Sequence, residues 1–422
     1  MFIIYDLIFL VVALVTLPIY LFKRKLHRGI LARFGKLPAD LNLGGPIWMH
    51  AVSVGEAIAI RGLLGELRKN FPNKKFVIST VTPTGNKIAR GMAKDGDLVT
   101  YLPADFSFIV KSVIRRIKPS FFIIAETEIW PNLISYLFKQ NIPVAIVNGR
   151  ISDSSYKGYS MIRFMIKPIL NKINLFCVQT ERDGGRLSSL GVTREKIKVT
   201  GNLKFDAVRT MPHSVEKKEE LALTGQEKLV VCGSTHPGEE EIVLGAYRQL
   251  LTEFPHLRLF IAPRHPERAG DLEKLVLKFN LKPLRISQLG RGPNPGNLKP
   301  VFILDAIGQL LHYYAIADIV FVGGSLVKKG GHNILEPASL SKPVIFGSFM
   351  FNFRDIAELF LEHRAAIEVR NQLELQAKIK FFLRQPEQAL ALGQKAKDLV
   401  LRNQGTTQKT CQHLTDSAAK IS

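Results

Sequence analysis

Six short segments combine residue types and spacings that suit the handling of a phosphorylated sugar. In His50–Glu56 (HAVSVGE) an apolar run hands over to an amphipathic one, and Glu56 sits at the handover beside Gly55. A carboxylate there can take a proton from an attacking hydroxyl, or it can serve only as the first-turn acid of a helix. Gly233–Glu239 (GSTHPGE) offers the hydroxyls of Ser234 and Thr235, which suit phosphate, although a plain helix cap uses the same residues. Pro263–Arg268 (PRHPER) puts Arg264 at a strand end, where a guanidinium can grip phosphate through two parallel hydrogen bonds; His265 reads as a polar loop residue. Asp305–Gln309 (DAIGQ) is a turn with backbone groups for a base or a phosphate. Gly323–Pro337 (GGSLVKKGGHNILEP) carries two Gly pairs that permit a tight turn and a close backbone approach. A helix over His332–Leu340 would then aim N–H groups and its dipole at a phosphate, with Glu336 accepting from a ribose diol. In Glu126–Asn132 (ETEIWPN), Glu126 and Glu128 either line an acceptor side or brace the site, and bracing is the favoured reading. Nothing resembles a P-loop, a nucleophile elbow or a His-rich metal site, so no metal is expected.

These segments need elements to hold them, and the alternation of the chain supplies candidates. Apolar runs at Ile47–Val52, Lys75–Ser79, Phe121–Glu126, Val144–Asn148 and Leu175–Gln179 read as strands. Helical stretches fall between them at Ala57–Asn70, Gly85–Met92, Ile109–Ile117 and Pro131–Gln140. A second alternation has strands at Lys228–Cys232, Leu257–Ala262, Leu281–Leu284, Val301–Leu304, Ile319–Val322 and Pro343–Phe346. Strand alternating with helix, the strands near-continuously apolar, predicts an α/β protein of two doubly wound parallel sheets. The expected division is residues 23–206, a polar linker at 207–226 and a second domain at 227–422, with the last helix free to pack back on the first domain. Ligands of such folds bind at the carboxyl ends of the strands, with the main crevice expected between the two halves.

The 422 residues are enough for two domains, and 46% hydrophobic with 22% charged residues is the composition of a folded chain. Lys and Arg number 58 against 36 Asp and Glu, a net charge of +22 that asks for a polyanionic neighbour. Phe2–Phe22 is apolar and about long enough to span a bilayer, and Lys23, Arg24, Lys25, His27, Arg28 and Arg33 follow it. Residues 1–22 are therefore expected to be a single membrane anchor, spanning or lying in the interface, with the rest of the chain cytoplasmic by the positive-inside rule. The basic surface then faces anionic lipid, and nucleic acid is not expected as a partner. Cys177, Cys232 and Cys411 are odd in number and widely spaced, as packed, reduced thiols are.

HAVSVGE, ETEIWPN, GNLKFD, GSTHPGEEE, PRHPER and GGHNILEP, in that order, resemble the 3-deoxy-D-manno-octulosonic acid (Kdo) transferases of lipopolysaccharide assembly. The likeness runs from the apolar N-terminus to about Phe353. It implies two Rossmann-like domains of the GT-B type, CMP-Kdo as donor, no cofactor, inversion at the anomeric carbon and a lipid A precursor (lipid IVA) as acceptor at the bacterial inner membrane. It carries the catalytic base onto Glu56 and the nucleotide contacts onto Pro263 and Arg264, Ile307, Gly308 and Gln309, and Asn333, Ile334, Leu335 and Glu336. Lys204 of GNLKFD would help to hold the Kdo carboxylate. The family usually has Met-Gly-Glu where this chain has Ile-Gly-Gln, a departure that bears on Gln309 alone. Two rival readings remain: a GT-B-like enzyme of UDP-sugars, including a non-transferring epimerase, and a basic membrane-tethered or nucleic-acid-binding scaffold.

Overall fold

Runs of β-branched and aromatic residues form strands that pair parallel throughout, so each sheet is covered by apolar side chains on both faces. The computed structural model describes residues 5–7, 9–11, 30–208, 215–223, 225–289 and 299–419. The chain divides into two units, one formed by residues up to Ala207 together with Asn403–Ser422, the other by Val208–Arg402.

The first unit has strands Ile47–His50 (β1), Phe76–Thr80 (β2), Leu98–Tyr101 (β3), Phe121–Ala125 (β4), Val144–Gly149 (β5), Leu175–Val178 (β6) and Ile197–Val199 (β7). Their order is β3-β2-β1-β4-β5-β6-β7. The two-residue period of a strand divides the core into two: Phe122 and Ile124 of β4 join Trp48 and Ile146 on one face, while Phe121 and Ile123 join Met49 and Val147 on the other. The second core is closed by Leu63 and Leu64 of helix Val54–Asn70 and by Cys411 and Leu414 of helix Thr406–Ala419. The carboxylate of Asp206 accepts from the N–H groups of Gly405 (2.8 Å) and Thr407 (2.5 Å) and so starts that last helix.

The second unit has Lys228–Thr235 (β8), Leu257–Pro263 (β9), Pro283–Arg285 (β10), Val301–Ile303 (β11), Ile319–Val322 (β12), Val344–Gly347 (β13) and Ile367–Val369 (β14) in the order β10-β11-β9-β8-β12-β13-β14. Each sheet reverses its winding once, between β1 and β4 in the first and between β8 and β12 in the second. Those are the switch points where loops diverge and leave room for a ligand.

Three expectations need correction. The second unit ends at Arg402 and not at 422, while the last helix packs back on the first unit as the sequence reading allowed: residues 403–419 complete that core, because Cys411 and Leu414 have their apolar partners there. The expected linker is not wholly a connector either. Val215–Glu220 is a helix, Leu221 is buried, and the Tyr313 hydroxyl donates to Glu220 at 3.2 Å, so this stretch packs on the second unit. Thirdly, the helix expected over His332–Leu340 is only Leu335–Ser339. Gly330 and Gly331 at φ 96° and 70° keep the preceding segment a loop. Most of the expected anchor, residues 1–4, 8 and 12–22, lies outside the described residues, as do Lys23, Arg24, Lys25, His27 and Arg28. No helix among the described residues is long and apolar enough to cross a membrane. Of the anchor residues that are described, Asp6 accepts from Ser107 N (3.1 Å) and from Asn132 Nδ2 (2.7 Å), and the Phe9 ring meets Phe106 edge-on at 4.9 Å.

Candidate active site

At the first unit's switch point, helix Val54–Asn70 begins with Ser53 as its N-cap. Glu56, in the first turn, reaches back: Oε1 accepts from Ser53 Oγ at 2.9 Å and Oε2 from Val52 N at 2.6 Å. These capping bonds fix a carboxylate at the carboxyl end of β1. Burial first, and the neighbouring Glu126 second, push the Glu56 carboxyl up to about 7 despite those two hydrogen bonds. Glu126 follows β4 across the switch point in a left-handed conformation, φ 60°, anchored by its N–H to Val147 O at 2.8 Å. Such strain in a non-glycine residue persists only where surrounding bonds over-determine it.

Lys204 Nζ lies 3.8 Å from Glu126 Oε1. Asn148 places the Lys204 loop by accepting from Leu203 N at 2.9 Å, and Asn202 accepts from Lys204 N at 3.0 Å. Glu128 takes the indole N–H of Trp130 at 3.0 Å and stands 3.9 Å from Nε2 of the buried His50. His50 Nδ1 is 3.0 Å from both the carbonyl and the hydroxyl oxygen of Ser79. Glu126 thus lies within ion-pair reach of Lys204 and Glu128 near His50, while their own side chains stay partly exposed. A prediction follows from the charge of Glu126. In Glu126→Gln the Glu56 carboxyl should titrate below about 7, as followed by NMR of its side chain. An unmoved titration would remove Glu126 from the electrostatics of Glu56.

In the second unit the Gly-rich turn after β12 holds an anion, but one of the protein's own. The carboxylate of Glu239, fully buried, accepts from the N–H groups of Gly324 (2.7 Å), Ser325 (3.0 Å) and Leu326 (2.9 Å), with His236 N at 3.3 Å. The N–H groups of this first Gly pair are thus taken by Glu239, a glutamate to which sequence reasoning gave no role. Thr235 is also turned inward: its hydroxyl donates to Glu240 Oε1 at 2.9 Å, and Glu240 takes both guanidinium ends of Arg268 at 3.0 and 2.8 Å. Thr235 is therefore structural, whereas Ser234, half-buried at φ 58°, has its hydroxyl in no bond among those described.

Arg264 is exposed at the end of β9; its N–H donates to Thr235 O at 2.9 Å, and its guanidinium makes no ion pair among the described residues. Pro263 is the buried last residue of that strand. Around Arg264 gather His236, His265 and His332. The last of these leads directly into Asn333, whose side chain accepts from Leu335 N (3.1 Å) and donates to Glu336 Oε1 (3.2 Å). Ile334 and Leu335 are wholly buried, and Glu336 is half-buried. Ile307, Gly308 and Gln309 form an exposed turn; Gly308 has φ 85° and the Ile307 side chain is 88% exposed, so the turn offers backbone before side chain. Gln309 caps the next helix without a side-chain bond. Among the described residues no group of three or more His, Cys, Asp or Glu could hold a metal.

Residues 28–207 match the family described as 3-deoxy-D-manno-octulosonic-acid transferase (kdotransferase). The chain is 36% identical over 366 residues to the 3-deoxy-D-manno-octulosonic acid transferase of Haemophilus influenzae, covering 86% of this chain and 85% of that one. Among solved structures it resembles a glycosyltransferase from Rickettsia africae (TM-score 0.57, 15% identity, 90% of this chain and 100% of that one). It also resembles the UDP-GlcNAc 2-epimerase of Neisseria meningitidis (TM-score 0.60, 15% identity, 88% and 100%). At such identities the structures establish two parallel-sheet α/β domains of the GT-B kind and leave transfer and epimerisation undistinguished. Sequence identity of 36% over most of both chains does distinguish them: the chain belongs to the 3-deoxy-D-manno-octulosonic acid transferase family.

Proposed function

We propose that this chain transfers Kdo from CMP-Kdo to a lipid A precursor, lipid IVA, with inversion and with Glu56 as general base. The observation that carries the reading is a carboxylate fixed at a switch point and poised near neutrality. A base with a pKa of about 7 is available at neutral pH, yet basic enough to take a proton from a sugar hydroxyl in the transition state. The acceptor oxygen attacks the anomeric carbon as its proton passes to Glu56, and the bond from that carbon to the phosphate oxygen breaks, its electron pair leaving with CMP. Arg264 stabilises the phosphate charge, the turn Ile307–Gln309 and Asn333–Glu336 hold the nucleotide, and Ser234 is a further phosphate contact. Lys204, beside Glu126, is the proposed partner of the Kdo carboxylate. No cofactor or metal takes part.

Mass spectrometry of a tetra-acylated, bisphosphorylated lipid A precursor incubated with CMP-Kdo and the protein tests this reading. Added Kdo masses support it, and their number gives the extent of transfer; folded protein giving none would sink the Kdo assignment in favour of a UDP-sugar. Arg264→Ala should weaken binding of a cytidine nucleotide by roughly 10–100-fold, the loss of a charge-assisted pair, as read by calorimetry. The same reading puts the enzyme on the cytoplasmic side of the inner membrane, its net charge of +22 facing anionic lipid. Co-sedimentation with neutral vesicles as readily as with anionic ones would contradict that placement.

A further inference from the structure

His236 and His332 are 96 positions apart in sequence, yet their Nε2 atoms stand 3.0 Å apart and their rings lie within 7° of parallel, with centroids at 5.2 Å. Two imidazole nitrogens at that distance must have one proton between them, since two N–H groups cannot point at each other. In the neutral pair one ring donates to the lone pair of the other. The pair can take one more proton, on a far nitrogen, without losing this contact; a second would set two like charges face to face. Gly324 makes the arrangement possible. At φ 69° it favours glycine, and a Cβ there would lie 2.9 Å from the His332 ring and 3.4 Å from that of His236.

The charges facing the pair come from three elements. Arg264 and His265 follow β9, with the His265 ring edge-on to His236 at 6.1 Å and its Nδ1 3.5 Å from Glu267. Lys329 comes from the loop after β12, and Glu240 from helix Glu239–Leu250. Glu240 is already engaged by Arg268 and Thr235, so the balance is cationic. Burial first and Arg264 next hold His332 down to about 4, and burial first, with the neighbouring His265, Lys329 and Arg264, lowers His236 as well. Without a ligand the pair is therefore neutral at pH 7.

We infer that the His236–His332 pair is a proton-accepting anion clamp, which draws one proton from solvent when the phosphate of a nucleotide sugar settles against Arg264. The anion reverses the local field and stabilises the imidazolium that the empty site rejects, so that binding and proton uptake are linked. The sign is fixed. A group whose pKa rises on binding favours the complex at low pH, and that advantage is lost as pH rises through the bound-state pKa. The proton held there also offsets the charge left on departing CMP. The inference rests on the proposed cytidine-nucleotide donor.

The test is calorimetry on the full chain with the methyl phosphodiester of CMP, which has no phosphate proton to titrate near neutrality, unlike a phosphomonoester. Titrations at pH 7 in two buffers of different ionisation enthalpy give the number of protons exchanged. The expected result is uptake approaching one proton per nucleotide, with Kd rising up to tenfold per pH unit above neutrality. In His332→Asn the uptake should vanish and Kd should become flat with pH, with unchanged thermal unfolding as the control for folding. Binding with equal heats in both buffers overturns the clamp and leaves the donor assignment intact, as does full uptake in the folded variant. No binding of the cytidine probe alongside binding of UDP overturns the donor assignment, and the clamp falls with it.

Discussion

Glu56→Gln should lower kcat for Kdo transfer by about 10²–10⁴-fold, the usual worth of a positioned general base, while nucleotide binding is retained. The substitution is suited to the question because an amide can keep the local architecture. Its oxygen still accepts from Val52 N and its amino group can donate to Ser53 Oγ, so the helix start survives while the proton acceptor is gone. A second readout has the opposite direction. The folded state holds Glu56 near 7 against 4.5 for the free side chain, so its contribution to stability is fully present below 4.5 and is lost as pH rises through 7. Glutamine has no charge to bury. Relative to wild type, the variant should therefore melt higher at pH 8 than at pH 5. Equal turnover by the variant would leave the function standing without this base; equal relative melting at both pH values would show that the carboxyl is not strained by burial.

Glu239→Ala should destabilise the second unit by about 3–5 kcal/mol, since one truncation leaves several buried N–H groups without an acceptor. Gly324, Ser325 and Leu326 all depend on this carboxylate. Glu239→Gln keeps one acceptor oxygen and should fall between. Denaturant titration would read the loss, and amide exchange would place it: protection at residues 324–326 should drop first. Retained protection there in the alanine variant would mean that the turn holds itself.

Much of the scaffold was legible because parallel strands buried on both faces leave uninterrupted apolar runs, as in Phe121–Ala125 and Ile319–Val322. What escaped were the strands carrying little apolar signal, Leu98–Tyr101, Ile197–Val199 and Ile367–Val369, which lie at the sheet edges and need fewer buried residues. Glu56 was legible for the same reason as the sheet, since a strand-to-helix handover can be seen in sequence and an acid there is conspicuous. Arg264 was visible as a cation at a strand end. The Gly-rich segment was legible as a turn, but not that Glu239 takes the N–H groups of Gly324, Ser325 and Leu326, because that acceptor comes from a helix more than eighty residues away. Thr235 failed likewise: nothing local says that a hydroxyl at the end of β8 points toward Glu240 and not outward. The facing of His236 and His332 is a property of two loops brought together by β8 and β12, and it has no period or spacing in the chain.

The carboxylate of Asp206 gives the architecture a modular character. The chain leaves the first unit just after this residue and comes back at Asn403, and Asp206 itself grips Gly405 and Thr407 on the returning side. Exit and re-entry are thus clasped to one another, and residues 208–402 form a looped-out insert whose ends emerge side by side. A gene in which the codon for Ala207 runs directly, or through a glycine or two, into that for Asn403 should yield a free-standing first unit that keeps Cys411 and Leu414 in its core and melts in a single transition. A stop codon after Arg402 spares all fourteen strands among the described residues, yet it should be the more damaging edit, since it strips the cover from helix Val54–Asn70.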